Sequence, residues 1–245
     1  MIPKVIHYCW FGRQRLPKLA LKCIESWQKY LPEYEIMEWN EDNFDVESIQ
    51  YTKDAYQARK FAFVSDYARF WILYHFGGIY FDTDVELITK IDDILSRGAF
   101  MGIECYAKDT VKIAVNPGLG MGAEPGMALY KRILDEYKRL SFWKSPSVRN
   151  PYSMIPMVTD MLTQQGLIDT PSIQFICDVN VYPKDYFNPL NDATGRLCIT
   201  DNTRSIHWYM KSWMPHFSVL YSKIMRCVRR VIGIRGTNML KKLLK

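Results

Sequence analysis

Residues 74–85 read Tyr-His-Phe-Gly-Gly-Ile-Tyr-Phe-Asp-Thr-Asp-Val, and the order of those residues decides the fold. Two glycines in succession end a helical segment, because glycine lets the backbone turn sharply without a side-chain clash. The next three residues, Ile79 to Phe81, form a short buried strand, and Asp82-Thr83-Asp84 stands at its end. In an extended chain residues i and i+2 project to the same side, so the carboxylates of Asp82 and Asp84 converge. A pair of hard oxygen ligands suits Mn²⁺ or Mg²⁺ and leaves a coordination shell that substrate phosphates and water complete. A nucleotide diphosphate meets that need. A D-x-D sequence alone is short and common, and a solvated acidic turn competes with this reading until the flanking sequence is considered.

Outward from this stretch, strands alternate with helices. Lys53 to Phe76 carries Ala55, Ala58, Phe61, Ala62, Tyr67, Ala68, Trp71 and Ile72 at three- and four-residue steps, which predicts one helix or two in succession. Nearer the start, Lys4 to Phe11 is a first buried strand ending at Gly12, and Leu16 to Tyr30 is a helix bounded by Pro17 and Pro32. Tyr34 to Trp39 is a second strand, closed by the polar turn from Asn40 to Asn43. Beyond the D-x-D stretch, Phe100 to Ile103 and Val111 to Val115 are strand segments, and Gly126 to Arg139 and Tyr152 to Gln165 are helical. The last third has weak strands at Ile173 to Cys177, Leu197 to Thr200 and Ser205 to Trp208. The pattern predicts an α/β sandwich, with a mixed central sheet flanked by helices.

The 245 residues suit one large domain, and 48% hydrophobic with 24% charged residues exclude disordered, collagen-like and disulfide-scaffold chains. No uncharged apolar run approaches the roughly 20 residues of a membrane-spanning helix. The first residues enter a strand with no apolar signal region, which leads us to expect a cytoplasmic protein. Six cysteines contain no C-x-x-C pair, which argues against a zinc ribbon or dithiol site. The net charge of +6 is unevenly spread: residues 221–245 hold eight of the 32 basic residues and no acid, leaving 24 basic against 26 acidic residues in the body. A near-neutral body with a cationic tail argues against nucleic acid as a partner.

Phe63-Val64-Ser65-Asp66-Tyr67-Ala68-Arg69, the 74–85 stretch, and Ile6-His7-Tyr8-Cys9-Trp10-Phe11-Gly12 occur in that family's characteristic combination: together they resemble glycosyltransferase family 32, the D-x-D sugar transferases. That family includes fungal mannosyltransferases, the glucosyltransferase domains of large clostridial toxins, and bacterial capsule and lipopolysaccharide enzymes. The resemblance is strong from Ile2 to about Gly122 and weaker beyond. It implies a GT-A fold, a nucleotide-sugar donor, a divalent metal and transfer with retention of configuration. It further implies that Asp82 and Asp84 hold the metal and act in catalysis, and that Trp10 stacks on the base, with a core tryptophan as the alternative. Asp66 and Arg69, three apart on one helix face, would contact the sugar or ribose, or else form a local ion pair. Tyr80 shares a face with Asp82 and is either a nucleotide contact or a core residue. Asn116 is a polar contact near the reacting carbon or a plain turn residue.

The segment Ser205-Ile206-His207-Trp208-Tyr209-Met210-Lys211-Ser212-Trp213 resembles the C-terminal loop that related enzymes close over the diphosphate. By that resemblance His207 is the third metal ligand, and Lys211, Ser212 and Trp213 are donors to the leaving group. The toxin members use a carboxylate at the ligand position, so packed histidine is the competing reading of His207. We therefore expect residues 1–220 to form a GT-A-type domain that moves a hexose from a UDP- or GDP-sugar, UDP being favoured, to an oligosaccharide or lipid-linked glycan in surface polysaccharide synthesis. Residues 221–245 form a basic amphipathic tail, in which Tyr221 to Ile232 projects as a helix with Tyr221, Ile224, Met225, Val228, Val231 and Ile232 on one arc and Lys223, Arg226, Arg229 and Arg230 on the other. Such a helix either lies on an anionic membrane, making the protein peripheral on the inner face, or docks on the domain. The competing functions are a metal-dependent phosphotransferase or nuclease, which needs further clustered carboxylates, and a non-catalytic membrane-associated scaffold.

Overall fold

β1 (Val5–Cys9) is buried from Ile6 onward and anchors the central sheet. The computed structural model describes residues 1–107, 112–211 and 216–243. After β1 come α1 (Lys18–Tyr30), β2 (Glu35–Trp39), α2 (Gln50–Gln57), α3 (Phe61–Phe76), β3 (Gly78–Tyr80) and β4 (Val85–Leu87). The middle of the chain forms α4 (Asp92–Leu95), β5 (Phe100–Cys105), β6 (Ala114–Val115), β7 (Met121–Ala123), α5 (Ala128–Arg139), the hairpin β8 (Trp143–Ser145) and β9 (Val148–Arg149), and α6 (Met154–Gln164). The last third holds β10 (Gln174–Ile176), β11 (Val179–Tyr182), α7 (Lys184–Phe187), the hairpin β12 (Leu190–Asn191) and β13 (Arg196–Leu197), β14 (Ser205–His207) and α8 (His216–Leu243), the last kinked at Gly233, where φ 72° and ψ 172° leave the helical region.

The central sheet runs β10-β11-β5-β7-β3-β1-β2, with β6 added alongside β5. β2, β1 and β3 are parallel, β7 is antiparallel to both β3 and β5, β11 is parallel to β5, and β10 closes the edge antiparallel. This is the expected mixed sheet with helices on both faces. Strand alternation divides the core. Ile79 and Phe81 point with Ile6, Tyr8 and Phe100 toward Trp27 of α1. Tyr80 points with Met101 and Met121 toward α3 and α5.

Several boundaries differ from those read in the sequence. The 53–76 segment is two helices, separated where Arg59 adopts a left-handed φ of 55°. The strand expected at Leu197 to Thr200 is only Arg196–Leu197, exposed and paired with β12. β7 escaped the sequence reading because Met-Gly-Ala carries no β-rich pattern. Its glycine is required by packing: a Cβ on Gly122 would meet the Phe100 ring at 2.4 Å. β11 was hidden by Asn180, whose buried amide donates to the carbonyls of Arg97 and Ala99 at 2.9 and 3.1 Å. All six cysteines are free thiols. No helix among the described residues is long and apolar enough to cross a membrane.

The turn after α3 is held from below by His7. Gly77 and Gly78 have φ of 64° and 98°, and a Cβ on Gly78 would meet the Val5 carbonyl at 2.7 Å and His7 Nε2 at 2.9 Å. Trp39 Nε1 donates to His7 Nδ1 at 3.0 Å, so the ring proton sits on Nε2, which donates to the Gly77 carbonyl at 3.0 Å. His7 is 2% exposed, and burial lowers its pKa to about 4. Between that value and the ordinary value near 6.5, the unfolded chain binds a proton that the folded chain does not. The contribution is therefore full above pH 6.5 and is lost as pH falls toward 4; at about 1.4 kcal/mol per pKa unit it amounts to roughly 3 kcal/mol. We expect His7→Gln to show a shallower fall in unfolding free energy than the wild type between pH 6.5 and 4, measured by urea denaturation; parallel pH profiles would contradict the assignment.

Candidate active site

Asp82-Thr83-Asp84 leaves the sheet at the end of β3 and enters β4, a three-residue strand that α1 fixes in place. Trp27 Nε1 donates to the Val85 carbonyl at 2.7 Å, and the Leu87 N–H donates to Ser26 Oγ at 2.9 Å. β4 pairs antiparallel with β14, setting His207 opposite Val85. This ribbon brings His207 beside the aspartates. One carboxylate oxygen from each aspartate and one ring nitrogen of His207 all lie within 4.8 Å of one another. Asp84 and His207 are buried, whereas the Asp82 side chain is 28% exposed.

The surroundings fix each charge. Asp84 Oδ1 lies 3.2 Å from His207 Nε2, Asp84 Oδ2 accepts the Met210 N–H at 2.6 Å, and the Asp84 carbonyl accepts the Trp208 N–H at 2.9 Å. Burial alone would raise the Asp84 pKa, but His207 and the Met210 N–H outweigh it and hold the carboxyl below its usual value. Burial likewise opposes the charge on His207, and the Asp84 carboxylate overrides it, raising the imidazole to about 9. The His207 Nδ1 is buried, with no hydrogen-bond partner among the described residues. Two carboxylates and an imidazole form a donor set that fits Mn²⁺ or Mg²⁺ with open positions for phosphate oxygens. Ligation by such a site displaces the histidine proton.

Beneath Asp82 lies a buried cation. Arg69 is 2% exposed and places Nη2 3.1 Å from Asp66 Oδ1 and 3.0 Å from Asp82 Oδ1. Its Nε donates to the Ser65 carbonyl at 3.1 Å, and its guanidinium lies 4.8 Å from the centre of the Tyr80 ring. Burial lifts Asp66 to about 7 against the pull of Arg69, and it also raises Asp82. The Tyr80 hydroxyl donates to Asp82 Oδ1 at 3.2 Å. Arg69 thus has carboxylates and a carbonyl for partners, and Tyr80, 1% exposed, is a core residue lying under Asp82.

The other sequence-derived residues fall as follows. Trp10 is half-buried at the end of β1, donates from Nε1 to the Gln14 carbonyl at 2.6 Å, and lines a cleft of about 250 Å³ with Arg13, Gln14, Glu38, Asn40 and Glu41. Asn116 is buried and caps the turn Pro117–Leu119, its Oδ1 accepting the Gly118 N–H at 2.8 Å. Lys211 Nζ donates to Asp192 Oδ2 at 2.7 Å and to Ser222 Oγ at 3.0 Å. Ser212 and Trp213 lie outside the described residues.

Three features of the site carried no sequence signal. Gly118 is one: a Cβ there would fall 2.2 Å from Asp82 Oδ2 and 3.0 Å from Arg69 Nη1. Tyr209 is another, with its ring 4.3 Å from that of His207 and its hydroxyl donating to Glu104 at 3.1 Å and accepting from Asn188 at 2.7 Å. Asp192 is the third, bound to Lys211. Glycine followed by leucine, a tyrosine in an aromatic run and an aspartate in a turn are too ordinary to single out without the fold.

This geometry matches a known class. The family model described as the glycosyltransferase sugar-binding region containing the DXD motif matches residues 17–101. An uncharacterised glycosyltransferase, L373, of Acanthamoeba polyphaga mimivirus is 32% identical over 233 residues, covering 89% of this chain and 86% of the relative. The chain belongs to the DXD-motif glycosyltransferases. Inositol phosphoceramide mannosyltransferase 1 of Schizosaccharomyces pombe is 28% identical over 111 residues, 41% of this chain and 33% of that protein. Mannosyl phosphorylinositol ceramide synthase SUR1 of Saccharomyces cerevisiae is 25% identical over 170 residues, 67% of this chain and 42% of that protein. The chain thus spans less than half the length of either yeast relative. A crystal structure of a glycosyltransferase involved in glycosylation of the major capsid of PBCV-1 shares the fold, with a TM-score of 0.50, 13% identity and coverage of 91% of this chain and 99% of that one.

The close approach at Gly118 yields a test that separates site from fold. A methyl group there displaces the end of the Asp82 side chain without crossing the backbone, so its cost falls on the position of the carboxylate. We expect Gly118→Ala to weaken Mn²⁺ binding, measured calorimetrically, by about 10-fold or more, while moving the melting temperature by no more than about 4 °C. Wild-type affinity would show that Asp82 is not a ligand.

Proposed function

We propose that the chain is a metal-dependent, retaining glycosyltransferase that moves a hexose from a nucleotide sugar to a glycan or lipid-linked glycan during surface polysaccharide assembly. The convergence of Asp82, Asp84 and His207 carries this reading. Those three residues would hold a divalent cation, which would supply Lewis-acid stabilisation to the departing diphosphate. Arg69 favours the ionised form of Asp82 and, with the Tyr80 hydroxyl, fixes where its oxygens point. Trp10 offers an aromatic face to the base at the mouth of the cleft it lines, with UDP favoured as the nucleotide. Lys211, Ser212 and Trp213 are the proposed donors to the leaving group. In the retaining reaction the bond from the anomeric carbon to the phosphate oxygen breaks and a bond to the acceptor oxygen forms on the same face. The departing phosphate takes the acceptor proton.

The tail supports a membrane-bound acceptor. In α8, Phe217, Leu220, Tyr221 and Ile224 are 80, 56, 48 and 54% exposed and recur at helical spacing on one face. With Arg226, Arg229 and Arg230 held at the 192–195 turn, the outward face of the helix is this apolar stripe, which fits a bilayer surface. The yeast relatives carry ceramide in their names, which agrees with a lipid acceptor.

Nucleotide release from UDP-glucose, UDP-galactose, UDP-mannose, GDP-mannose and GDP-fucose, with and without Mn²⁺, tests the chemistry. Turnover of at least one donor should require the metal, vanish on chelation and return on its replacement. Asp84→Asn, with circular dichroism unchanged, should lose about 100-fold or more in kcat; undiminished turnover would remove the acidic pair from the mechanism. Co-sedimentation with phosphatidylserine vesicles tests the tail: Phe217→Ser, Leu220→Ser and Ile224→Ser together should abolish it, and unchanged sedimentation would reject the anchor.

A further inference from the structure

The basic face of α8 turns toward the protein and grips one turn. Arg226 Nε donates to the Asp192 carbonyl at 2.8 Å, and its Nη2 pairs with Asp192 Oδ1. Arg230 Nη2 donates to the Gly195 carbonyl at 2.8 Å, and Arg229 Nη1 reaches the Ala193 carbonyl at 3.5 Å. The other carboxylate oxygen of Asp192 accepts from Lys211 at 2.7 Å. Lys211 bonds in addition to Ser222 of the same helix at 3.0 Å. Asp192 is therefore shared between the helix and the segment that follows His207.

That segment is tied at its other end to the metal ligands. The Trp208 and Met210 N–H groups both donate to Asp84, and the Trp208 indole donates to Glu86 at 2.8 Å. Tyr209 and Lys211 hold left-handed φ values of 53° and 55°, a conformation that side-chain-bearing residues keep only where the surroundings impose it. An unbroken series of contacts thus runs from Asp84 through Met210 and Lys211 to Asp192 and Arg226. Lys211 and Asp192 are 16% and 33% exposed, and Arg226 is 21% exposed, so these pairs are shielded more than surface ion pairs.

We propose that Asp192 is a positioning residue for sugar transfer, through which the seating of α8 on the 192–195 turn fixes the segment carrying His207 and Lys211. The proposal deepens the transferase reading, since it rests on Lys211 acting at the donor diphosphate. The helix is then part of the donor site's support, and whatever displaces Arg226 from Asp192 loosens the segment next to the metal ligands.

Hydrogen exchange read at single residues tests the coupling without need of turnover. Arg226→Ala should speed exchange of the Met210 and Trp208 amides by about 10-fold, Arg226→Lys should restore most of the protection, and Cys227→Ser, on the exposed neighbouring position, should leave it unchanged. In donor kinetics Arg226→Ala and Asp192→Ala should each lower kcat/KM for the donor by about 10-fold, with the loss carried in part by kcat, and the double variant should fall well short of the product of the two. Unchanged exchange at Met210 in Arg226→Ala would overturn the proposal, as would multiplicative effects in the double variant. Faster exchange in Arg226→Ala, together with a wild-type protein that turns over no nucleotide sugar, would instead uphold the coupling and sink the transferase reading.

Discussion

A buried guanidinium holds the centre of this protein together. Arg69 has left water almost entirely, and an ion removed from water loses several kcal/mol of solvation unless charges and hydrogen bonds replace it. Here the replacement comes from Asp66 on its own helix, Asp82 at the end of β3, the Ser65 carbonyl and the face of Tyr80. The same contacts join α3 to the strand that presents the acidic pair. The orientation of Asp82 therefore depends on packing within the core, and the exposed face of its carboxylate is left for ligands.

The remainder of the site is assembled by strand pairing. β4 is too short to be stable alone, and it is held on one side by α1 through Trp27 and Ser26 and on the other by β14. In this arrangement the imidazole of His207 reaches Asp84 by register, because Val85 and His207 are direct partners. The antiparallel β7 between β3 and β5 has a matching role in the sheet. The turn that leads into it brings Gly118 against Asp82, where a side chain at Gly118 would collide with the carboxylate, and Asn116 caps that turn.

The parts of this design that a sequence can reveal are those encoded locally. Helical periodicity from Lys53 to Phe76, the glycine pair after it and the D-x-D spacing are all local patterns; the structure resolves the first into α2 and α3 and places the glycine turn and the acidic pair directly after α3 and β3. The mixed sheet and its GT-A character followed from the alternation of elements and from the three family-like motifs. What stayed hidden was set by partners distant in sequence. β4 and β7 are three residues each, and their identity as strands comes from their neighbours. Arg69 and Tyr80 were legible as residues of interest, yet only their burial reveals that they face Asp82 from within. Lys211 stood out as a cation after His207, and nothing in the spacing pointed to Asp192 as its partner. The tail was legible as amphipathic; which face would turn inward was not, because the backbone carbonyls of the 192–195 turn, and not apolar surface, receive it.

The order in which the ligands occur along the chain also bears on how the protein comes into being. Asp82 and Asp84 emerge early in synthesis, and His207 emerges only after every strand of the central sheet has been made. Domains take up their contacts as the chain lengthens, so a nascent protein can complete its sheet while the cluster of Asp82 and Asp84 still lacks its imidazole. The proposed metal cluster is then among the last features the growing polypeptide acquires, and it is completed by β14.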